Sequence, residues 1–202
     1  MTDVERSTGM LSALRGVAVA LNDRQIPWAL VGGLAVSIRV EPRFTRDIDI
    51  AVAVADDAAA EALVADFTAA GYALLLSLEP RALGRLATVR LLPPREPVEG
   101  VVVDLLFASS GLEAEICRDA DALEIVPGLT VPVAKAGHLV AMKVLAMAEH
   151  RPQDAVDLAA LLSMLDDADR ALARRAAGRI EEVGANRGKS LSAELEHRLG
   201  AR

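Results

Sequence analysis

Two aspartates, Asp47 and Asp49, stand two residues apart in the alternating run Asp47-Ile48-Asp49-Ile50. In a strand, residues at i and i+2 share a face, roughly 6.6–6.8 Å apart along the chain. The two carboxylates therefore project together while Ile48 and Ile50 point into the core. Carboxylates held this way repel, and each raises the pKa of the other unless a cation lies between them. The pair is suited to hold Mg²⁺. A third acid, Asp104, interrupts the apolar run Val101-Val102-Val103 and Leu105-Leu106-Phe107. A lone buried carboxylate there is costly, so Asp104 must be paired, surface-facing or bound to a cation. If its strand neighbours that of Asp47 and Asp49, at a lateral spacing of about 4.8 Å, the three carboxylates form one cluster. On the solvent face of an edge strand, Asp104 would be no more than surface charge.

These side chains need elements to hold them. Ser7–Arg24 reads as an amphipathic helix with Met10, Leu11, Leu14, Val17, Ala18 and Leu21 on one stripe. Trp28–Val31 is a short buried strand stopped by Gly32-Gly33, and a helix begins soon after, at Ala35–Arg39. Pro42 forces extension before the strand Asp47–Val54, and Asp56 or Asp57 caps a helix running to about Ala70. Strands follow at Tyr72–Leu78, Leu86–Leu92 and Gly100–Phe107, then a short helix at Leu112–Arg118 and one extended piece over Leu123–Val133. Four helices close the chain, near 135–149, 152–165, 167–183 and 190–199, with Pro152 suited to a first turn. Strands first and helices after predict an α/β (α+β) fold: a mixed sheet flanked by helices in residues 1–133, and a helical C-terminal part in 134–202 packed on that core.

Composition bounds the function classes. A chain of 202 residues that is 52% hydrophobic buries an ample core of Ala, Leu and Val. Its one cysteine, Cys117, excludes an internal disulfide and fits a reducing cytoplasm. No cleavable leader follows the apolar stretch 10–21, and no apolar run is long enough to span a membrane, so a cytoplasmic protein without membrane contact is expected. A net charge of −7 does not suggest general nucleic-acid binding, but the charge is uneven. Arg81, Arg85, Arg90 and Arg95 fall in an acid-free stretch, whereas Glu113, Glu115, Asp119, Asp121 and Glu124 cluster against Arg118. Such asymmetry marks either a nucleic-acid face and a partner face or ordinary solvated surface. If the strands at 72–78 and 86–92 pair, Arg81, Arg85 and Arg90 form a basic hairpin able to track an RNA backbone.

The order Val31-Gly32-Gly33, thirteen residues, Asp47-Ile48-Asp49-Ile50 resembles the signature of the DNA polymerase β-like nucleotidyltransferase superfamily. The resemblance implies a nucleotidyltransferase-like fold and two Mg²⁺ ions, with Mn²⁺ as an alternative, on Asp47, Asp49 and Asp104. The substrate would be an NTP, and Asp104 the candidate base for the acceptor hydroxyl. It also gives Gly32-Gly33 a second reading. Beside a plain turn needing φ > 0, the missing side chains would let backbone N–H groups and the helix N-terminus approach a triphosphate. Family members often carry Ser beside the glycines; here Leu34 follows and Ser37 is the nearest hydroxyl.

Further on, Lys143 and the segment Arg151-Pro152-Gln153-Asp154-Ala155-Val156-Asp157-Leu158 are similar to the C-terminal motif of AbiEii-type nucleotidyltransferases, with Gln153 where the family has Lys. That resemblance implies that Lys143 and Asp157 serve the nucleotide site. It also implies a toxin of a bacterial toxin–antitoxin pair, a cognate antitoxin as partner and the 3′ end of tRNA as acceptor. A protein side chain or an antibiotic hydroxyl would be other acceptors, and a non-catalytic binding module is the rival class. Read without the family, Asp154 is an acid favoured in a helix's first turn, Asp157 shares its face, and Lys143 is a snorkelling surface lysine. His138 reads as an ordinary helix residue rather than a base.

Overall fold

The computed structural model describes residues 3–40, 45, 47–78, 86–94, 96, 100–147 and 152–200. Helix α1 (Asp3–Asp23) leads into β1 (Trp28–Val31), α2 (Gly32–Arg39), β2 (Asp47–Val52) and α3 (Asp57–Ala69). Then come β3 (Ala73–Leu78), β4 (Thr88–Leu92), β5 (Val102–Leu106), α4 (Glu113–Asp119), β6 (Asp121–Val126) and β7 (Leu129–Val133). Four helices complete the described chain: α5 (Ala136–Ala146), α6 (Pro152–Met164), α7 (Asp167–Glu182) and α8 (Leu191–Gly200). The seven strands form one mixed sheet in the order β3-β4-β5-β2-β1-β7-β6. Strand β2 lies at its centre, antiparallel to β1 and parallel to β5.

The sequence dictates most of this directly. On α1 the apolar stripe is buried at Met10, Leu14, Val17, Ala18 and Leu21. Asp56 caps α3 by accepting a hydrogen bond from the Ala59 N–H at 2.9 Å, a typical N-terminal signal. One expectation fails. The single extended piece over Leu123–Val133 is a hairpin of β6 and β7, turned at Gly128 with φ +76°. Pro127-Gly128 carries that turn signal, and a left-handed φ is inexpensive only for glycine.

The C-terminal helices share the core of the sheet. Strand β7 pairs with β1, the chain passes at once into α5, and α5 is buried on nearly every side. Gly137 lets α7 approach it, since a Cβ there would lie 2.6 Å from the Asp169 carbonyl oxygen. Arg39, at the end of α2, ties this half of the sheet together. Its guanidinium donates to the Ala134 oxygen at 2.6 Å, the Val133 oxygen at 3.0 Å and the Asp121 carboxylate at 2.7 Å. The acidic run is thus partly internal: Asp121 pairs with Arg39, and Glu113 is buried, accepting from the Ser110 N–H and hydroxyl. Among the described residues, no helix is long and apolar enough to cross a membrane.

Candidate active site

A single rung of the sheet gathers the chemistry. Asp49 on β2 lies opposite Asp104 on β5, Arg90 on β4 lies opposite Asp104, and Val31 at the end of β1 lies opposite Asp49. Directly paired residues share a face, so Arg90, Asp104 and Asp49 stand side by side, with Asp47 two residues along β2. After Val31 the chain turns at Gly32, φ +65°, into α2. A Cβ on Gly32 would overlap the Asp49 carboxylate, so this position demands glycine for both backbone and space. The Gly33 N–H lies beside the Asp49 carboxylate and opposes part of its upward shift. The N-cap residue of α2, Val31, offers no side-chain cap.

The electrostatics of the rung are those of a site short of positive charge. Burial, then the charges of Asp104 and Asp47, push the Asp49 carboxyl up to about 7, against smaller opposing effects of Lys143 and the Gly33 N–H. The nearest compensation comes from Arg90. Its Nε donates to Asp104 Oδ1 at 2.8 Å and its Nη2 to Asp104 Oδ2 at 2.6 Å, while Nη2 stands 3.7 Å from Asp47 Oδ2. This corrects the expectation that Arg90 faces an RNA backbone, because its guanidinium lies among the carboxylates. Arg81, Arg85 and Arg95, the rest of that basic stretch, lie outside the described residues.

Three carboxylates on neighbouring strands, neutralised in part by a borrowed guanidinium, are an all-oxygen donor set of the kind that suits Mg²⁺ or Mn²⁺. Their donor type fits such an ion, but their carboxylate oxygens do not all lie within 4.8 Å of one another and Arg90 occupies both oxygens of Asp104. Among the described residues, the one trio of acid, His or Cys ligand atoms within 4.8 Å of one another is elsewhere, at Glu115, Asp119 and His138. There His138 is fully buried with Nε2 3.2 Å from Glu115 Oε1, and Asp119 is engaged by Arg118 at 2.8 Å.

Asp47 and Asp49 open on a cavity of about 460 Å³, a size common for small-ligand sites, whereas Asp104 and Arg90 stand behind its wall. It is lined by Gly32, Gly33, Thr45, Asp47 and Asp49, by Met142, Lys143, Gln153 and Asp154 of α5 and α6, and by Ser109, Ser110 and Arg187. Lys143 is no snorkelling surface lysine. It is buried, with Nζ 2.7 Å from Asp154 Oδ1 and 2.6 Å from Asp157 Oδ2, and both aspartates are buried too. Gln153 donates to Asp157 Oδ1 at 3.1 Å, which keeps a hydrogen bond without the charge.

Two residues expected at the nucleotide lie back from the cavity wall. The Ser37 hydroxyl donates to the Gly33 carbonyl at 3.0 Å, and Asp157 sits behind Lys143. Arg151 is outside the described residues. Sequence reasoning missed Thr45, the Ser109-Ser110 loop and Arg187. Only the loop had a signal: Ser110-x-x-Glu113 has capping-box spacing, and the Glu113 carboxylate accepts from the Ser110 N–H at 2.8 Å, although the N-cap of α4 is Leu112. Cys117 offers no nucleophile, since burial pushes its thiol up to about 12.

Several solved structures resemble this one at low identity. The lincomycin-bound lincosamide antibiotic adenylyltransferase LnuA is 14% identical with a TM-score of 0.49, the match covering 76% of this chain and 97% of that one. An antigenic nucleotidyltransferase-like protein from Paracoccidioides brasiliensis is 15% identical with a TM-score of 0.49, covering 95% and 94%. The nucleotidyltransferase toxin MenT4 of Mycobacterium tuberculosis is 18% identical with a TM-score of 0.43, covering 85% and 72%. No curated protein matches the chain in sequence. Residues 17–201, nearly the whole chain, match the family described as nucleotidyl transferase AbiEii toxin, type IV toxin–antitoxin system, and the chain belongs to that family as a nucleotidyltransferase.

Proposed function

We propose that this nucleotidyltransferase moves NMP from an NTP to the 3′-terminal hydroxyl of tRNA, with a divalent metal, as the toxin of a bacterial toxin–antitoxin pair. The observation that carries the chemistry is the rung itself: Asp49 opposite Asp104, with Asp47 on the same face, and Asp47 and Asp49 lining a cavity of about 460 Å³. Asp47, Asp49 and Asp104 are the residues that would hold Mg²⁺, or Mn²⁺ in its place. When bound, such ions supply the charge that polarises the α-phosphate and neutralises the departing pyrophosphate.

The chain's own groups do the rest. Asp49 gives up its proton, and Arg90 turns away from Asp104 to free a carboxylate oxygen. Asp104 then accepts the proton of the acceptor hydroxyl. The hydroxyl oxygen bonds to the α-phosphorus, the bond from that phosphorus to the bridging oxygen breaks, and pyrophosphate leaves. Gly32 and Gly33 keep side chains out of the approach to the α2 N-terminus, where a phosphate would be favoured. Lys143 holds α6 against α5 and adds positive potential beside Asp49. Catalysis is then positioning and electrostatics.

The family supports the toxin role and a cognate antitoxin as partner, and resemblance supports tRNA as acceptor. Each α-labelled NTP, incubated with the protein, Mg²⁺ and total RNA, should label the tRNA band in wild type and in no Asp49→Asn reaction. Label appearing only on a protein or on an added aminoglycoside or lincosamide would replace the tRNA acceptor. No label on any acceptor, with NTP still bound, would favour a binding module.

A further inference from the structure

We propose that Arg187 is the cation that grips the triphosphate of the bound NTP, an inference that rests on the nucleotide reading of the cavity above. Arg187 belongs to the short turn between α7 and α8 and lines the same cavity as Gly32, Gly33, Asp47 and Asp49. Its backbone has φ +55° and that of Gly188 has φ +74°. The left-handed region is costly for a side chain as long as arginine's, and glycine or asparagine would be the inexpensive choice. The chain accepts this conformation at the one place in the turn that faces the cavity.

The turn is held firmly around it. The Asn186 side chain donates to the Lys189 carbonyl at 2.7 Å, and the Lys189 N–H returns a bond to the Asn186 carbonyl at 3.0 Å. Lys189 Nζ donates to the Leu145 and Met147 carbonyls at 2.7 and 2.6 Å. This anchors the turn to the C-terminal end of α5, the helix that carries Lys143. Arg187 itself is exposed, and among the described residues its guanidinium hydrogen-bonds to Ser109, at 3.4 Å from both the carbonyl and the hydroxyl. It makes no ion pair among the described residues.

Charge decides the ligand. The other described cation lining the cavity, Lys143, is held between Asp154 and Asp157, so its charge is already answered. Arg187 brings a planar fork of donors whose charge no described carboxylate offsets, which suits the paired oxygens of a phosphate. A triphosphate entering toward Asp47 and Asp49 carries that chemistry into the cavity. A phosphate of the acceptor's backbone is the other source, and the experiment separates the two.

The test is calorimetric titration of wild type, Arg187→Gly and Arg187→Lys with Mg²⁺ and a non-hydrolysable NTP, the matching NMP, and a tRNA 3′-end oligonucleotide, alongside thermal melts. Arg187→Gly relieves the left-handed residue, so its melting temperature should rise while its NTP affinity falls by about 10-fold or more. NMP and oligonucleotide binding should stay within about twofold, and Arg187→Lys should lie between wild type and the glycine variant for NTP. A merely structural arginine would not raise stability and lower affinity together. Unchanged NTP affinity in Arg187→Gly overturns the inference and leaves the nucleotide reading standing, as does a loss confined to the oligonucleotide. Folded wild type that binds no NTP overturns both.

Discussion

Asp49 is the residue on which the metal-free protein turns. Its carboxyl is pushed up to about 7, chiefly by burial and then by Asp104 and Asp47, while an unfolded chain holds an aspartate near 3.9. Between those values the folded state binds the extra proton, so this group's stabilising contribution is full at acid pH and is lost as pH rises through 7. In chelator-treated protein, the melting temperature of wild type should fall more steeply from pH 5 to pH 8 than that of Asp49→Asn, and equal slopes would place Asp49 outside a charged cluster. Arg90 is the counterpart. Because its guanidinium occupies both oxygens of Asp104, Arg90→Met should lower metal-free stability by about 1–2 kcal/mol, discounted for an arginine that is partly exposed. The same variant should bind Mn²⁺ more tightly, read by electron paramagnetic resonance titration, since the ion no longer displaces a resident cation. Weaker Mn²⁺ binding would mean that Arg90 organises the ligands instead of competing for them. Asp104→Asn should also destabilise the metal-free protein, by stranding Arg90, whereas Asp47→Asn should not.

At the scale of elements, the site's first half was legible and its second half was not. Period-2 alternation puts Asp47 and Asp49 on one face, and the apolar flanks of Asp104 mark a strand that cannot leave a carboxylate idle. What no local pattern reveals is the strand order β4-β5-β2, and that order alone brings Arg90 beside Asp104. The hairpin of β6 and β7 was legible at Pro127-Gly128 but hidden by apolar residues running through both strands. Lys143 misled for a related reason. A lysine on an apolar helix commonly snorkels, yet α5 is packed by α2, α6, α7 and α8, and Lys143 is buried at the cavity wall instead of reaching the outer surface. Its ammonium is instead answered by Asp154 and Asp157 on α6. Lys143→Met should therefore cost about 3–5 kcal/mol in denaturant unfolding, because two buried carboxylates lose the ammonium between them. Adding Asp154→Leu and Asp157→Leu should recover most of that stability without restoring nucleotide transfer. If the triple variant stays as unstable as the single one, the triad is not what joins α5 to α6.

For the molecule as a whole, the sheet and the C-terminal helices share one core and build one cavity. β1, α2 and β2 supply the glycines and two of the aspartates, α5 and α6 supply a buried ion triad, and the turn before α8 supplies an arginine with no ion pair among the described residues. The division into a core at 1–133 and a helical part at 134–202 marks where strands give way to helices, though both parts line the site. Among the described residues, the proposed metal site on Asp47, Asp49 and Asp104 competes with the trio Glu115, Asp119 and His138, whose ligand atoms lie within 4.8 Å of one another. Anomalous diffraction from crystals grown with Mn²⁺ and a non-hydrolysable NTP distinguishes them. The nucleotidyltransferase mechanism developed above predicts manganese peaks against Asp47, Asp49 and Asp104, with the triphosphate beside Gly32-Gly33 and Arg90 turned away from Asp104. Manganese only at Glu115, Asp119 and His138, with Arg90 still locked on Asp104 in the presence of nucleotide, would contradict it.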